Sequence, residues 1–192
     1  MVLCAGIQHP GEIRYTSDGI EKHFGVNHTT PADVSAPSTS SIEKNSGMNR
    51  YLTSKLANVL WALALSRHLA SSSSNRTAVA FDPGLVPGTA MLREAGAVMR
   101  FMAGKLGPYL VPVMRMVMNP NVHTVEQSAG NLAWVVESED VMAKRGVYYE
   151  GGKETEVSIV AGNQRKQEEL WEWTIQRVAE GIEERERFGR LE

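Results

Sequence analysis

The segment 49–69 constrains the fold most, because its apolar residues recur at the spacing of an α-helix. Its larger aliphatic side chains stand at Leu52, Leu56, Val59, Leu60 and Leu63. Alanines between them allow close packing against a neighbour. After a flexible SSSSN turn, the short β-prone run TAVAF is stopped by DPG. The sequence therefore predicts a core helix followed by a strand.

The order of the other elements predicts an α/β layer fold with a parallel sheet, because strand-like and helix-like segments alternate. MVLCAGI and GVYYEGG are typical of strands, whereas TSDGIEKHFGVNH, HTVEQSAGNLAWVVESED and RKQEELWEWTIQRVAEGIEERERF are typical of helices. Thr124 and Gln127 have the spacing of a capping box. Segment 29–48 is predicted to be a loop, and segment 90–118 two short helices broken at Gly107-Pro108 and Pro112.

Composition excludes several classes of protein. The formal net charge is -2, with 20 basic against 22 acidic residues and no basic stripe, so no nucleic-acid partner is expected. Cys4 is the single cysteine, which excludes an internal disulfide and fits a reducing, cytoplasmic location. The longest apolar run, VLWALAL, is too short for a membrane span, and no signal peptide is expected. The five histidines show no ligand spacing beside carboxylates, so no metal is expected.

Tyr51 and Lys55 are the residues whose spacing suggests chemistry. They are four positions apart, so their side chains share one face of the predicted helix. An ammonium group near a phenol lowers the tyrosine pKa from about 10, which suits proton exchange with a carbonyl or an alcohol. The alternative is that both residues only lie at the solvent-exposed edge of an apolar helix.

Several motifs, in order, resemble the short-chain dehydrogenase/reductase family. YLTSKLANVLWALALSRHL followed by AFDPGLVPGT is closest to the branch of retinol dehydrogenases and protochlorophyllide-reductase-like enzymes. VLCAGI resembles the Asn-Ala-Gly stretch at the end of the family's fourth strand, and DGIEKHFGVNH resembles the helix that follows it. GVYYEGG and EELWEW resemble the last strand and the C-terminal helix. The resemblance thus covers nearly the whole chain.

The resemblance implies a role for each matching residue. Tyr51 would be the general acid/base, Lys55 would hold the nicotinamide ribose and lower the tyrosine pKa, and Asn27 would support a water-linked proton relay. Tyr51 and Lys55 would also contact the cofactor, together with Ala5, Gly6, Pro83, Gly84 and Thr89. The cofactor would be NADP or NAD, with NADP favoured by analogy alone. Structural alternatives are that Gly84 ends a strand, Thr89 caps a helix and Asn27 satisfies backbone groups.

The sequence also departs from the family pattern. No Gly-rich phosphate-binding turn precedes Ala5, and Cys4 replaces the family's asparagine. No apolar strand runs into Ser35 or Ser38, so neither is assigned as the catalytic serine. The expected fold is a partial Rossmann-like, doubly wound domain over 1–192 that lacks the first βαβ half and one central strand. The chain is accordingly expected to be a truncated or alternatively spliced form, or the product of an imperfect gene model.

Two functions follow from this resemblance. The first is an NAD(P)-dependent oxidoreductase that acts on an alcohol or carbonyl group of a lipophilic small molecule, with segment 90–118 as its substrate lid. The Met-rich lid would suit irregular apolar ligands, although an ordinary core or dimer surface is the alternative. The second is a catalytically impaired, non-catalytic interaction protein. It would form a homo-oligomer or pair with a full-length relative through the helix that carries Tyr51.

Overall fold

The computed structural model describes residues 14–15, 47–72, 75–87, 107–117 and 119–191, which form six helices and three short strands. The helices are α1 (Gly47–Ser71), α2 (Gly107–Val117), α3 (Val125–Glu137), α4 (Glu139–Met142), α5 (Gln164–Val178) and α6 (Ile182–Arg190). The strands are β1 (Ala80–Asp82), β2 (Tyr148–Glu150) and β3 (Lys153–Thr155). The α/β class is therefore confirmed.

The chain divides into two compact units. The first unit comprises 1–78 and 157–192, and the second comprises 79–156. Each unit has a hydrophobic cluster of its own. The single domain expected from the sequence stays a prediction.

The first unit is built around the packing of α1 against α5. Ala57 and Leu60 of α1 and Leu170 of α5 are buried together and form its core. Leu56 and Trp61 pack against this core. Helix α5 begins at a capped N-terminus, where the Asn163 side chain accepts a hydrogen bond from the Lys166 amide at 3.2 Å. The apolar residues that recur at helical spacing in the sequence thus form the face of α1 that packs against α5.

Polar and aromatic groups extend this contact along α1. Arg67 Nη2 donates to Glu168 Oε1 at 2.5 Å, and His68 Nε2 lies 2.9 Å from Glu168 Oε2. The His68 ring stacks on Trp171, with centroids 4.5 Å apart. Gln167 is buried, and its amide nitrogen donates to the Ala161 carbonyl. One carboxylate therefore joins two side chains of α1 to α5.

The second unit contains a small mixed sheet in the order β1-β2-β3. Strands β1 and β2 are parallel, with Phe81 opposite Tyr149, and β2 and β3 are antiparallel. The parallel pair agrees with the parallel sheet predicted from the sequence, although the pairing of TAVAF with GVYYEGG was not itself predicted. Val135, Val141 and Tyr149 form the buried core beneath this sheet. Helices α3 and α4, which supply the two valines, thus cover one face of the strands.

Two helix predictions are confirmed almost to their ends. Helix α1 covers the predicted segment 49–69 and starts two residues earlier, at Gly47, so the predicted loop over 29–48 is wrong for its last two residues. Helix α3 has both bonds of the predicted capping box, each at 3.2 Å, between Thr124 and Gln127. Short side-chain-to-backbone bonds of this kind are encoded locally, so the sequence pattern reveals them.

The predicted break at Pro112 is wrong, because α2 continues through this residue. The break predicted at Gly107-Pro108 stays a prediction, because α2 begins at Gly107 and the residues directly before it lie outside the described ones. Proline fits the first turn of a helix, where the missing amide donor has no helical partner. In α-helical geometry, Pro112 removes a single bond, the one to the carbonyl of Pro108. The predicted first helix of segment 90–118 falls outside the described residues.

The predicted long terminal helix is wrong in one respect, because α5 ends at Val178 and a separate helix, α6, begins at Ile182. Ala179 is extended, and the Glu180 amide donates to the Glu184 carboxylate at 2.8 Å. This bond satisfies a backbone donor outside the helix, while Gly181 disfavours continuation. Strand β3 was not predicted at all. The strand, helix and loop expected within 1–13, 16–28 and 29–46 lie outside the described residues.

Candidate functional site

Tyr51 and Lys55 lie one turn apart on α1, as the sequence predicts. Both side chains are half-buried, and Lys55 Nζ stands 5.5 Å from the centroid of the Tyr51 ring. This is the geometry of a cation–π contact. Buried alanine and leucine residues on the neighbouring face of α1 fix the helix against α5. The structure therefore brings the predicted acid/base and its cationic partner together in the first unit.

Pro83 and Gly84 follow β1 in the second unit, at the carboxyl end of a parallel strand. Gly84 has a φ of 74°, in the left-handed region, and its amide donates to Asp82 Oδ1 at 2.9 Å. A Cβ at this position would stand 2.4 Å from the carbonyl oxygen of Asn121. The position therefore requires glycine. The other predicted site residues, Ala5, Gly6, Asn27 and Thr89, lie outside the described residues.

The carboxylate of Asp82 organises the turn that contains Pro83 and Gly84. Besides the Gly84 amide, it accepts a hydrogen bond from Asn121 Nδ2 at 3.1 Å and, at 3.5 Å, from the Tyr148 hydroxyl. Burial, followed by the charges of Asp82 and Glu150, raises the pKa of Tyr148 well above its ordinary value. Tyr148 is therefore a neutral hydrogen-bond donor to Asp82.

Behind Asp82, a chain of hydrogen bonds leads through Asn121 to His123 and Arg115. His123 Nε2 lies 2.9 Å from Asn121 Oδ1, and Arg115 Nη2 lies 3.2 Å from His123 Nδ1. Arg115 also donates through Nε to the Val122 carbonyl at 2.6 Å and through Nη2 to Gln127 at 2.7 Å. Burial and the neighbouring guanidinium lower the pKa of His123, outweighing the opposing charge of Asp82.

The sequence did not identify Asn121, His123 and Arg115 as members of one cluster. Asn121 lies 39 residues after Asp82, so no local spacing connects them. The isolated parallel bridge between Leu85 and Val122 is what brings the two segments side by side. The only sequence signal is the turn-forming NPN tripeptide directly before Val122 and His123.

The cluster offers hydrogen bonds but no metal site. Among the residues that the structure describes, no three His, Cys, Asp or Glu side chains are grouped so that they could hold a metal ion. Within the same residues, no helix is both long and apolar enough to cross a membrane. No protein-family model matches the sequence, and no curated protein matches it at a significant level.

Proposed function

We propose that this chain is an NAD(P)-dependent oxidoreductase of the short-chain dehydrogenase/reductase type. It would act on an alcohol or carbonyl group of a lipophilic small molecule. The observation that carries the proposal is the placement of Lys55 Nζ 5.5 Å from the Tyr51 ring centroid on one face of α1. In general, a cation close to a phenol hydroxyl favours the phenolate form, which is the role that the proposal gives to Lys55. Tyr51 can then give a proton to a carbonyl oxygen, or take one from an alcohol.

The turn after β1 supports the same proposal. Ligands of parallel α/β sheets bind at the carboxyl ends of the strands, which is where Pro83 and Gly84 stand. The need for glycine at position 84 is explained by its packing against Asn121, so a cofactor-lining role for Gly84 rests on the family resemblance alone. When bound, the nicotinamide would supply or accept the hydride, while Lys55 would hold its ribose. NADP is favoured over NAD by analogy alone, and the partial Rossmann-like architecture is part of this proposal.

The proposal is tested by titrating the purified chain with NADPH and NADH while following nicotinamide fluorescence, and by measuring turnover with decanal. We expect saturable binding. Tyr51→Phe keeps the aromatic ring, so it should change cofactor affinity far less than turnover, which should fall by about 10²- to 10⁴-fold because the proton that is transferred is removed. Lys55→Met should weaken both binding and turnover.

Matched controls are available among exposed residues outside the proposed site. Tyr15→Phe and Lys153→Met remove the same groups from exposed positions and should change neither quantity. Absence of saturable binding at millimolar NADPH and NADH would contradict the proposal. Turnover by Tyr51→Phe at the normal rate would contradict the role of Tyr51.

The second function, a non-catalytic interaction protein, rested on exposure of LANVLWALAL. In the structure, Ala57, Leu60, Leu63 and Ala64 of this stretch are buried. Leu52 is 55% exposed, but it precedes the stretch. These four side chains are therefore covered within the chain, which argues against association through this face of α1.

A further inference from the structure

We propose that His123 is a pH-operated latch within the second unit. Its neutral imidazole links Arg115 to Asn121 through hydrogen bonds and so holds the turn after β1. Protonation of the imidazole breaks this link. The proposal concerns the conformation of this unit and does not depend on the proposed enzymatic activity. It rests on the hydrogen-bond chemistry of four side chains and on the backbone bridge that they surround.

The four side chains form one directional chain of donors and acceptors. A guanidinium can only donate, so His123 Nδ1 must accept from Arg115 Nη2 at 3.2 Å. An amide oxygen can only accept, so His123 Nε2 must donate to Asn121 Oδ1 at 2.9 Å. Asn121 Nδ2 then donates to Asp82 Oδ2 at 3.1 Å. The contacts therefore require the neutral, Nε2-protonated form of the ring.

Protonation of His123 is incompatible with this arrangement. An imidazolium has no acceptor atom, so the contact with Arg115 would place two N–H groups and two positive charges against each other. The ring also has no free space on the side of β2, because a Cβ at Gly151 would lie 2.8 Å from its Nε2. Protonation therefore breaks the contact between His123 Nδ1 and Arg115 and weakens the link between α2 and the segment that carries Asn121 and His123.

Within the part of the chain that the structure describes, the charged groups that face the ring come from two elements. Arg115 of α2 opposes a positive charge on His123, and Asp82 of β1 favours one through Asn121. From β2, Tyr148 contacts Asp82 and is neutral, and from α3 the neutral Gln127 binds the same guanidinium. Burial is the largest influence, and together with Arg115 it lowers the pKa of His123 below its ordinary 6.5.

The latch holds a short parallel bridge between two loop segments. The Leu85 amide donates to the Asn121 carbonyl at 2.8 Å, and the His123 amide donates to the Leu85 carbonyl at 2.9 Å. These are isolated bonds, outside the named strands, so no neighbouring ladder supports them. These two backbone hydrogen bonds should break first when the hydrogen bonds between the four side chains are lost.

The sign of the pH effect follows from proton linkage. Because the closed form holds fewer protons than the open form, lowering the pH below 6.5 favours opening, and the effect levels off at the pKa of the closed form. Protection of the bridge amides should fall by about tenfold for each unit by which that pKa lies below 6.5.

The test is amide hydrogen exchange by NMR on the full chain between pH 8 and pH 5, with rates corrected for the intrinsic pH dependence. Protection of the Leu85 and His123 amides should fall below pH 6.5. The Ala80 amide, which donates to the Val147 carbonyl at 3.0 Å in the same unit, is the internal control and should keep its protection. Protection of the two bridge amides that is constant over this range would overturn the proposal.

A variant distinguishes an effect of His123 protonation from a general loss of stability at low pH. A glutamine side chain offers both a donor and an acceptor and does not titrate, so His123→Gln should make bridge protection independent of pH. His68→Gln, which replaces a half-buried histidine of the first unit, is the matched control and should retain the wild-type response. A response that persists in His123→Gln would overturn the proposal.

A measurement on the unchanged protein covers the case in which His123→Gln does not fold. The imidazole ¹⁵N shifts of His123 at pH 8 must show the Nε2-protonated tautomer, and the ring must titrate below pH 6.5. A ring that is protonated at pH 7, or that carries its proton on Nδ1, would overturn the proposal.

Discussion

Asp82 is the residue on which most bonds of the turn after β1 converge, because its two carboxylate oxygens serve different neighbours. Oδ1 accepts from the Gly84 amide and closes the turn, whereas Oδ2 accepts from Asn121 and Tyr148. An acceptor-only side chain suits this place, since all three partners are donors. The same residue thus ends β1 and fixes the backbone that follows it.

At the same scale, replacement of Gly84 by alanine should destabilise the protein. The φ of 74° alone costs a non-glycine residue about 1–2 kcal/mol, and the 2.4 Å approach to the Asn121 carbonyl adds a steric clash. Gly130→Ala is the control, because this glycine lies within α3 with nothing within 4 Å of its Cβ position. It should stabilise by about 0.5–1 kcal/mol. Thermal unfolding measures both changes, and an unchanged Gly84→Ala melting temperature would contradict the steric argument.

Residues of the candidate site differ in how far the sequence could predict them. Tyr51 and Lys55 were predictable as a pair because helical geometry converts a spacing of four into proximity. The partners of Asp82 were not, because Asn121 and His123 reach it through a bridge between distant segments. Such contacts depend on tertiary packing, and no local pattern encodes them.

At the scale of elements, the helices with an apolar period or a capping box were predictable, whereas β3 was not. Its three residues, Lys-Glu-Thr, are all polar, and two of them are exposed. It is a strand because it follows the tight Gly151-Gly152 turn and pairs back onto β2, with Glu150 opposite Lys153. Pairing through backbone bonds leaves little trace in side-chain composition.

The contact between α1 and α5 should depend on pH through Glu168. Burial opposes its ionisation, but hydrogen bonds and charges from Arg67 and His68 outweigh burial, so its pKa is lowered from 4.5. A lowered carboxyl pKa gives stability that is present above pH 4.5 and is lost as the pH falls through the pKa of the folded form. Because Glu168 is 40% exposed, screening limits this contribution to about 0.5–1 kcal/mol.

Glu168→Gln should therefore destabilise the first unit at pH 7 and make no difference at pH 2. Urea unfolding followed by tryptophan fluorescence measures the effect, since Trp61 and Trp171 lie at this contact. Glu169→Gln, which removes an exposed carboxylate 3.6 Å from Arg165, is the control and should have no measurable effect. Equal losses in the two variants would show that Glu168 does not join the helices.

At the scale of the whole molecule, the first unit combines residues from both ends of the sequence. Helix α1 packs on α5 across about a hundred residues, as the bond between Arg67 and Gln167 illustrates. The segment between them, 79–156, carries the sheet and its own core of Val135, Val141 and Tyr149. The pattern of residues along the sequence predicts single helices and strands, but it does not show which of them share a hydrophobic core. Only the structure shows that α1 and α5 share one.

The charge balance of the whole chain predicts where it associates most readily. Its net charge of -2 at pH 7 reaches zero near pH 6.2, where repulsion between copies is least. Contacts between copies through exposed apolar side chains, such as Ile159, which is 96% exposed, are then opposed by less electrostatic repulsion. Light scattering at fixed concentration should peak near pH 6.2 and fall on either side.

Lys153→Glu changes the net charge from -2 to -4, because one positive charge becomes negative, and should move this peak to lower pH. Lys153→Arg keeps the charge and should leave the peak in place. If the peak stayed at the same pH in Lys153→Glu, association would be governed by a local apolar contact and not by the overall charge.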